Sequence, residues 1–412
     1  MARRARLILS TVMVLGLWMA GGAALLASRA VDQAISVRAD LFSLNILNLE
    51  HGVPWPSIPF KSWRNSHAEW AKLEPERRVW RFDLLDRDIQ LATQRGVDVM
   101  LILGSVPNWA RPSQTKIEPA DIEDWRNYVR TVAMRYKGRV HLYELWNEAN
   151  VGRFYSGAVD RLVELSRAAY QVLKEVDPSI TVISPALSPC CNSFPYLDEY
   201  FVKGGGQYAD VIGYHFYVAP HAPEAMVKMI GDVRAVMAQH GVNKPLWNTE
   251  TGWNVSNHDR NDWATEKWAG PPLSDSDAPA YLARSYIISA AFGVERFYWY
   301  AWGHRSMGMT EYDGKRPKSI ATAYAVVQQW IVGATRPRCT TNSEGAWVCT
   351  VQRDGSPSSW IVWNPDKNTT FRLPVEWRAG RYVDVLGNNY PIPASGRLEV
   401  HGSPLLIQSA WQ

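Results

Sequence analysis

From about residue 40 to 335 the chain keeps one rhythm, in which short apolar runs alternate with amphipathic stretches. Strand-like runs fall at 41–47, 60–64, 97–104, 140–146, 181–184, 211–214, 245–249 and 297–301. Helical periodicity occupies most of the gaps, at 82–95, 120–136, 160–176, 223–240, 280–292 and 319–332. Asp83 and Asp160 stand where two of these helices should begin. Such alternation is the mark of successive βα units. Eight strands spaced in this way predict an α/β fold, a (β/α)8 TIM barrel over residues 31–335, with its chemistry at the C-terminal ends of the strands. A doubly wound open sheet is the alternative, but no Gly-rich phosphate turn follows the first strand.

Beyond Arg336 the pattern changes. Runs at 346–352, 359–363, 370–374, 382–385 and 397–400 are short and β-branched or alternating, and Asp354-Gly355, Asn364-Pro365 and Gly387-Asn388 punctuate them. Residues 336–412 therefore read as a small C-terminal all-β appendage, expected to pack on the barrel. An independent sugar-binding module is the alternative.

The other end of the chain carries the charge. Its 44 Lys+Arg against 40 Asp+Glu give a formal +4, a balance that would suit nucleic acid if it were spread over the fold. Arg3, Arg4, Arg6 and Arg29 lie within the first thirty residues, which hold no acid. Without them the body is neutral, and no nucleic-acid partner is expected. The basic start is followed by an uncharged, mostly apolar run over 7–27 and then by Ser28-Arg29-Ala30, the plan of a secretory signal. The run is also long enough to span a bilayer. Residues 1–30 are thus expected to be a cleaved signal peptide or a retained membrane anchor. Either places the rest outside the cytoplasm, periplasmic or secreted. Of four cysteines, Cys339 and Cys349 suit a local disulfide, whereas a bond between the adjacent Cys190 and Cys191 would be strained; sequence leaves the pairing open. No Cys/His spacing reads as a zinc site, and no cofactor is expected.

Two segments draw the chemistry together. Leu142-Tyr143-Glu144-Leu145-Trp146-Asn147-Glu148 closes the fourth strand, and Pro245-Leu246-Trp247-Asn248-Thr249-Glu250 the seventh. Carboxylates are costly to bury unless paired, and strand ends at the barrel mouth would aim both Glu148 and Glu250 into one cleft. Two carboxylates flanking a cleft suit glycosidic cleavage: one, its pKa raised by an apolar setting, protonates the leaving oxygen, and the other attacks the anomeric carbon. Ordinary ion pairing at the rim is the alternative for each.

Trp146-Asn147-Glu148 and Thr249-Glu250 resemble the (β/α)8 glycoside hydrolases of clan A. With Val106-Pro107-Asn108-Trp109-Ala110 and Trp80-Arg81-Phe82-Asp83, they look most like family 39 and related bacterial glycosidases associated with exopolysaccharides. The resemblance covers roughly residues 40–335. It implies a retaining double displacement, with Glu148 as general acid/base and Glu250 as nucleophile. It also implies that Asn147 meets the sugar 2-hydroxyl, that Arg64 keeps the nucleophile ionised, and that Tyr217, in a His215-x-Tyr217 pattern, donates to Glu250. Trp302 would lie under the sugar at the scissile bond, in competition with Trp299, and Trp109 would belong to the cleft. Glu144, four residues before Glu148, is a candidate supporting acid. Clan members often carry a histidine at the end of strand 3; here that region reads Gly104-Ser105-Val106-Pro107-Asn108-Trp109, so the contact is absent or replaced.

The 20 tryptophans bear on the substrate. Trp109, Trp146, Trp253 and Trp302 are expected to face the mouth as platforms for sugar rings. The long 254–277 connection, with Trp263 and Trp268, and more weakly the 48–70 segment, with His51, Trp55, Trp63 and His67, read as walls of an extended cleft. That favours a carbohydrate polymer as substrate. A non-catalytic sugar-binding barrel, or a scaffold in polysaccharide export tethered through residues 7–27, is the rival reading. Oligomeric state is left open.

Overall fold

The computed structural model describes residues 35–258 and 267–410. Eight parallel strands, β1 (Phe42–Ile46), β2 (Ser62–Asn65), β3 (Asp98–Ile102), β4 (Leu142–Glu144), β5 (Thr181–Ile183), β6 (Ile212–His215), β7 (Leu246–Thr251) and β8 (Val294–Trp302), lie in the order β5-β4-β3-β2-β1-β8-β7-β6. A parallel bridge between Ile183 and Val211 joins the two ends, so the sheet closes into a barrel. Helices α1 (Asp83–Gln94), α2 (Ile122–Arg135), α3 (Val159–Val176), α4 (Ser193–Val202), α5 (Ala225–Gln239), α6 (Asp277–Ala291) and α7 (Ser319–Ile331) follow β2 to β8 in turn. The β1–β2 connection contains only a 3-10 turn at Leu49–His51. The α4 helix occupies a stretch that the sequence leaves as loop. Its Ser-Phe-Pro start hides it, since Pro195 is tolerated only in a first turn, and its face is too uniformly apolar to show a period.

The barrel interior is layered. Met100, Leu142, Ile183, Val211, Trp247 and Tyr298 form an apolar floor. The Ser62 and Tyr298 hydroxyls lie 3.0 Å apart at its edge. Above the floor the inward residues turn polar: Asn45 pairs across strands with both Arg64 and Tyr300, and Glu144 with Ile102 and Ile183. The catalytic end of a TIM barrel is therefore distinguished here by a switch from packing residues to hydrogen-bonding ones along the same strands.

The C-terminal part forms a six-stranded antiparallel sheet ordered β14-β13-β16-β11-β10-β9, with a separate β12-β15 pair. These strands are β9 (Arg338–Thr341), β10 (Trp347–Val351), β11 (Ser359–Trp363), β12 (Thr369–Arg372), β13 (Ala379–Val383), β14 (Asn389–Pro391), β15 (Arg397–Val400) and β16 (Leu405–Ser409). Alternation along β11 divides its faces. Ile361 and Trp363 join the barrel's own core, while Trp360 and Val362 belong to a second core capped by Phe371 and Leu398. Trp363 Nε1 donates to Glu224 Oε1 at 2.7 Å, and the Arg353 guanidinium donates to the Gln329 and Trp330 carbonyls at the end of α7. Cys339 and Cys349, directly opposite on β9 and β10, are disulfide-bonded. Residues 1–34, which include the export segment expected over 1–30, lie outside the described residues.

Candidate active site

Arg64 organises the site. It points inward from β2 with its side chain 2% exposed and spends its donors on five neighbours, the fifth being His215. Nε and Nη2 make a fork on Glu144, at 3.1 and 2.5 Å; Nη2 also reaches Asn147 Oδ1 at 2.7 Å, and Nη1 reaches Glu250 Oε2 at 2.6 Å and Asn45 Oδ1 at 3.4 Å. Burial disfavours the guanidinium charge, but Glu144 and Glu250 outweigh that and raise its pKa. Glu250 Oε1 accepts from the Tyr217 hydroxyl at 2.8 Å. The Glu250 carboxylate is therefore held from both oxygens by fixed donors.

Glu148 is held differently. It lies in the loop beyond β4, in the left-handed region at φ +45°, a conformation that costs a non-glycine residue roughly 1–3 kcal/mol and persists only where its surroundings enforce it. His215 Nδ1 lies 3.1 Å from Glu148 Oε1, and His215 Nε2 lies 3.3 Å from Arg64 Nη2. A guanidinium only donates, so in the neutral ring Nε2 is the acceptor and Nδ1–H donates to Glu148. Arg153 Nη2 lies 3.8 Å from the other oxygen. The apolar setting expected to raise the Glu148 pKa does not prevail. Burial pushes it up, but the hydrogen bond and electrostatic pull of His215, then Ser188 and Arg153, hold it below its usual value.

Donor atoms of Glu148, His215 and Glu250 lie within 4.8 Å of one another. That grouping has the donor types of a metal site, yet the His215 nitrogens face Glu148 and Arg64, and the Arg64 guanidinium already supplies the cation among these acids. The residues present suit two carboxylates working on an organic substrate better than a bound ion. They face a cavity of about 960 Å³, within the range of small-ligand sites.

Arg64, Asn147, Glu148, Tyr217 and Glu250 all line this cavity, and His215 is buried directly behind it. Trp302 and Trp109 do not line it. Trp302 is 1% exposed, and Tyr300, two residues before it, lines the cavity instead. The reason is a register shift. Leu44 and Ile46, two apart on β1, pair with Trp299 and Trp302, three apart on β8, so a bulge puts both indoles on one face, in the core. The mouth-facing platforms likewise prove to be pins. The indole N–H of Trp109 donates to Glu74 O, Trp146 to Phe154 O, Trp253 to His221 O and Trp302 to Pro54 O, at 2.8–3.1 Å. Each fastens a rim loop. Trp55 and Trp63 pack edge to face against one another rather than toward a ligand. Trp268, half exposed and edge-on to Tyr217, is the tryptophan that lines the cavity among the described residues. Trp263 lies outside them.

Glu144, Asn45, Ser188 and Tyr300 complete the site. Glu144 was legible as a carboxylate on the face of Glu148. Asn45 was legible in principle, as a lone amide in the apolar run Phe42-Ser43-Leu44-Asn45-Ile46. Ser188 and Tyr300 had no distinguishing signal.

No family model matches the sequence, and no curated protein matches it. Solved structures do. A family 39 glycoside hydrolase from the gut symbiont Bacteroides cellulosilyticus superposes with a TM-score of 0.69 at 21% identity, over 85% of this chain and 76% of that one. The fold is shared with family 39 glycoside hydrolases. A monomeric beta-xylosidase from Caulobacter crescentus superposes at 0.61 with 14% identity, covering 91% and 96%. A family 30 subfamily 8 xylanase from Clostridium acetobutylicum superposes at 0.56 with 13% identity, covering 84% and 88%. At these identities the likeness is one of fold, and the family 39 character expected from the strand-end motifs agrees with it.

Proposed function

We propose that the protein is a retaining glycoside hydrolase, an exported enzyme acting on an oligo- or polysaccharide. The observation that carries this reading is the approach of Glu148 and Glu250, whose carboxylate oxygens come within 4.8 Å. Retaining glycosidases hold their carboxyls roughly 5–5.5 Å apart, whereas inverting ones need roughly 6.5–9.5 Å to admit a water. Glu250, oriented by Arg64 and Tyr217, attacks the anomeric carbon as Glu148 protonates the departing oxygen; Glu148 then takes a proton from the water that releases the sugar. Asn147, with Oδ1 fixed by Arg64, has its amide N–H2 available for the 2-hydroxyl. The basic start and long apolar run of residues 1–30 support export, by a cleaved signal or a retained anchor.

The test is a panel of aryl β-glycosides and bacterial polysaccharides, assayed with wild type, Glu148→Ala and Glu250→Ala. Glu250→Ala should abolish turnover. Glu148→Ala should lose about 10²–10⁴-fold on poor leaving groups and be partly rescued by azide on good ones, giving the β-glycosyl azide. Full activity in Glu250→Ala contradicts the mechanism.

A further inference from the structure

Cys190 and Cys191 follow β5 and are both exposed, free thiols. The other two cysteines are joined, and disulfides form where oxidants reach thiols. The free pair also sits on the catalytic cavity. Cys190 lines it, and the Cys190 carbonyl accepts from Asn150 Nδ2 at 2.8 Å, two residues beyond Glu148. The same amide binds Ser188 twice, donating to its carbonyl and accepting from its N–H, both at 2.9 Å. Ser188 in turn hydrogen-bonds Glu148. The thiol-bearing turn and the acid/base segment are therefore one hydrogen-bonded unit. Within it Cys191 and Asn192 both take left-handed conformations, at φ +59° and +57°, and the Cys191 thiol is hydrogen-bonded to Cys190.

We propose that Cys190 and Cys191 are a modification site, a vicinal dithiol that a small disulfide oxidant closes reversibly into a ring at the leaving-group end of the cavity. That placement rests on reading Glu148 as the acid/base. The Cys190 hydrogen bond, with burial, pushes the Cys191 thiol up to about 11, and Cys190, which lines the cavity, is the thiol that meets an oxidant entering there. The Cys190 thiolate forms a bond to one sulfur of the oxidant RS–SR, and the other sulfur leaves as RS⁻ and takes up a proton. Cys191 then gives up its proton, attacks the Cys190 sulfur of the mixed disulfide, and expels the second RSH. Two S–H bonds and one oxidant S–S bond become one Cys190–Cys191 bond and two RSH, the cysteines losing the two electrons that the oxidant gains. A disulfide between neighbours lies at the short limit of ordinary geometry, and strained disulfides are the more readily reduced ones, so closure is reversible. Closure replaces two S–H groups by an apolar edge and acts through Asn150 and Ser188 on Glu148.

Peptide mapping by mass spectrometry tests this on the full chain treated with oxidised glutathione. The peptide carrying both cysteines should be two hydrogens lighter and resist iodoacetamide. Brief reduced glutathione should restore two alkylatable thiols while Cys339–Cys349 stays closed. Cys191→Ser should stop at a single glutathione adduct on Cys190. Two adducts on the native pair, thiols untouched by the oxidant, or exchange with Cys339 or Cys349 would overturn the proposal. On an aryl glycoside, KM should differ at least threefold between the closed and open forms, and Cys190→Ser/Cys191→Ser should be indifferent to oxidant. Equal KM for both forms removes the placement at the leaving-group end. A wild type inactive on every glycoside overturns the glycosidase reading instead, and the peptide map still decides the dithiol.

Discussion

Arg64 is bound on all sides by groups that need its charge, and its substitution should be felt in stability as well as activity. Arg64→Ala leaves Glu144 buried without its partner, and breaking such a pair costs about 3–5 kcal/mol. Arg64→Lys restores charge without the fork that spans Glu144, Asn147 and Glu250, so denaturant midpoints should recover more than kcat does. His215 sets a pH dependence. Its hydrogen bond helps hold the Glu148 carboxyl below its usual value, so His215→Phe should raise that pKa. A general acid works only while protonated. The alkaline limb of kcat/KM should therefore move to higher pH in the variant, and a shift to lower pH would contradict the assignment. These groups were legible in sequence to different degrees. Glu148 and Glu250 stood out because carboxylates ending apolar strands are anomalous, whereas Asn147 and Arg64 were marked only by the resemblance to clan A. Trp302 and Trp109 did not behave as expected, because an indole at a strand end serves equally well as a pin for a loop.

At the scale of elements, the strands and most helices could be read from periodicity, while the bulge between Tyr300 and Trp302 could not. A one-residue slip leaves no compositional trace yet changes which face a side chain joins. The neighbouring close approach is equally silent in sequence. A Cβ at Gly252, two residues after Glu250, would lie 2.2 Å from the Tyr300 carbonyl oxygen. Gly252→Ala should push β7 from β8, costing about 1–3 kcal/mol by denaturant unfolding and displacing Glu250 enough to depress kcat. Two strands away from β8, Asp88 of α1 holds the end of β2 and the residues after it, accepting from Asn65 Nδ2 at 2.8 Å and pairing with His67 Nδ1 at 2.6 Å. Burial raises its pKa, but His67, Arg87 and Asn65 outweigh that and lower it. The stability Asp88 contributes is then complete above the ordinary value of 3.8 and lost as pH falls through the depressed one. Asp88→Asn should flatten the acid side of a plot of unfolding free energy against pH.

For the molecule as a whole, barrel and β layer share one core, and Ser36 onward forms a single compact unit. Unfolding should be one calorimetric transition, and Trp363→Ala, which removes a fully buried ring stacked on Trp347 and bonded to Glu224, should lower it by about 3–5 kcal/mol without splitting it. Two separate transitions would mean the β layer is an independent module. At the mouth of the barrel Glu148 and Glu250 meet across a cavity large enough for more than one sugar. The double displacement stands on that meeting. Its most direct test is the covalent step: after incubation with an activated 2-deoxy-2-fluoro-β-glycoside of a sugar the enzyme hydrolyses, mass spectrometry should find one glycosyl ester, on Glu250. An ester on another residue, or a first-formed product of inverted anomeric configuration with no ester at all, would contradict it.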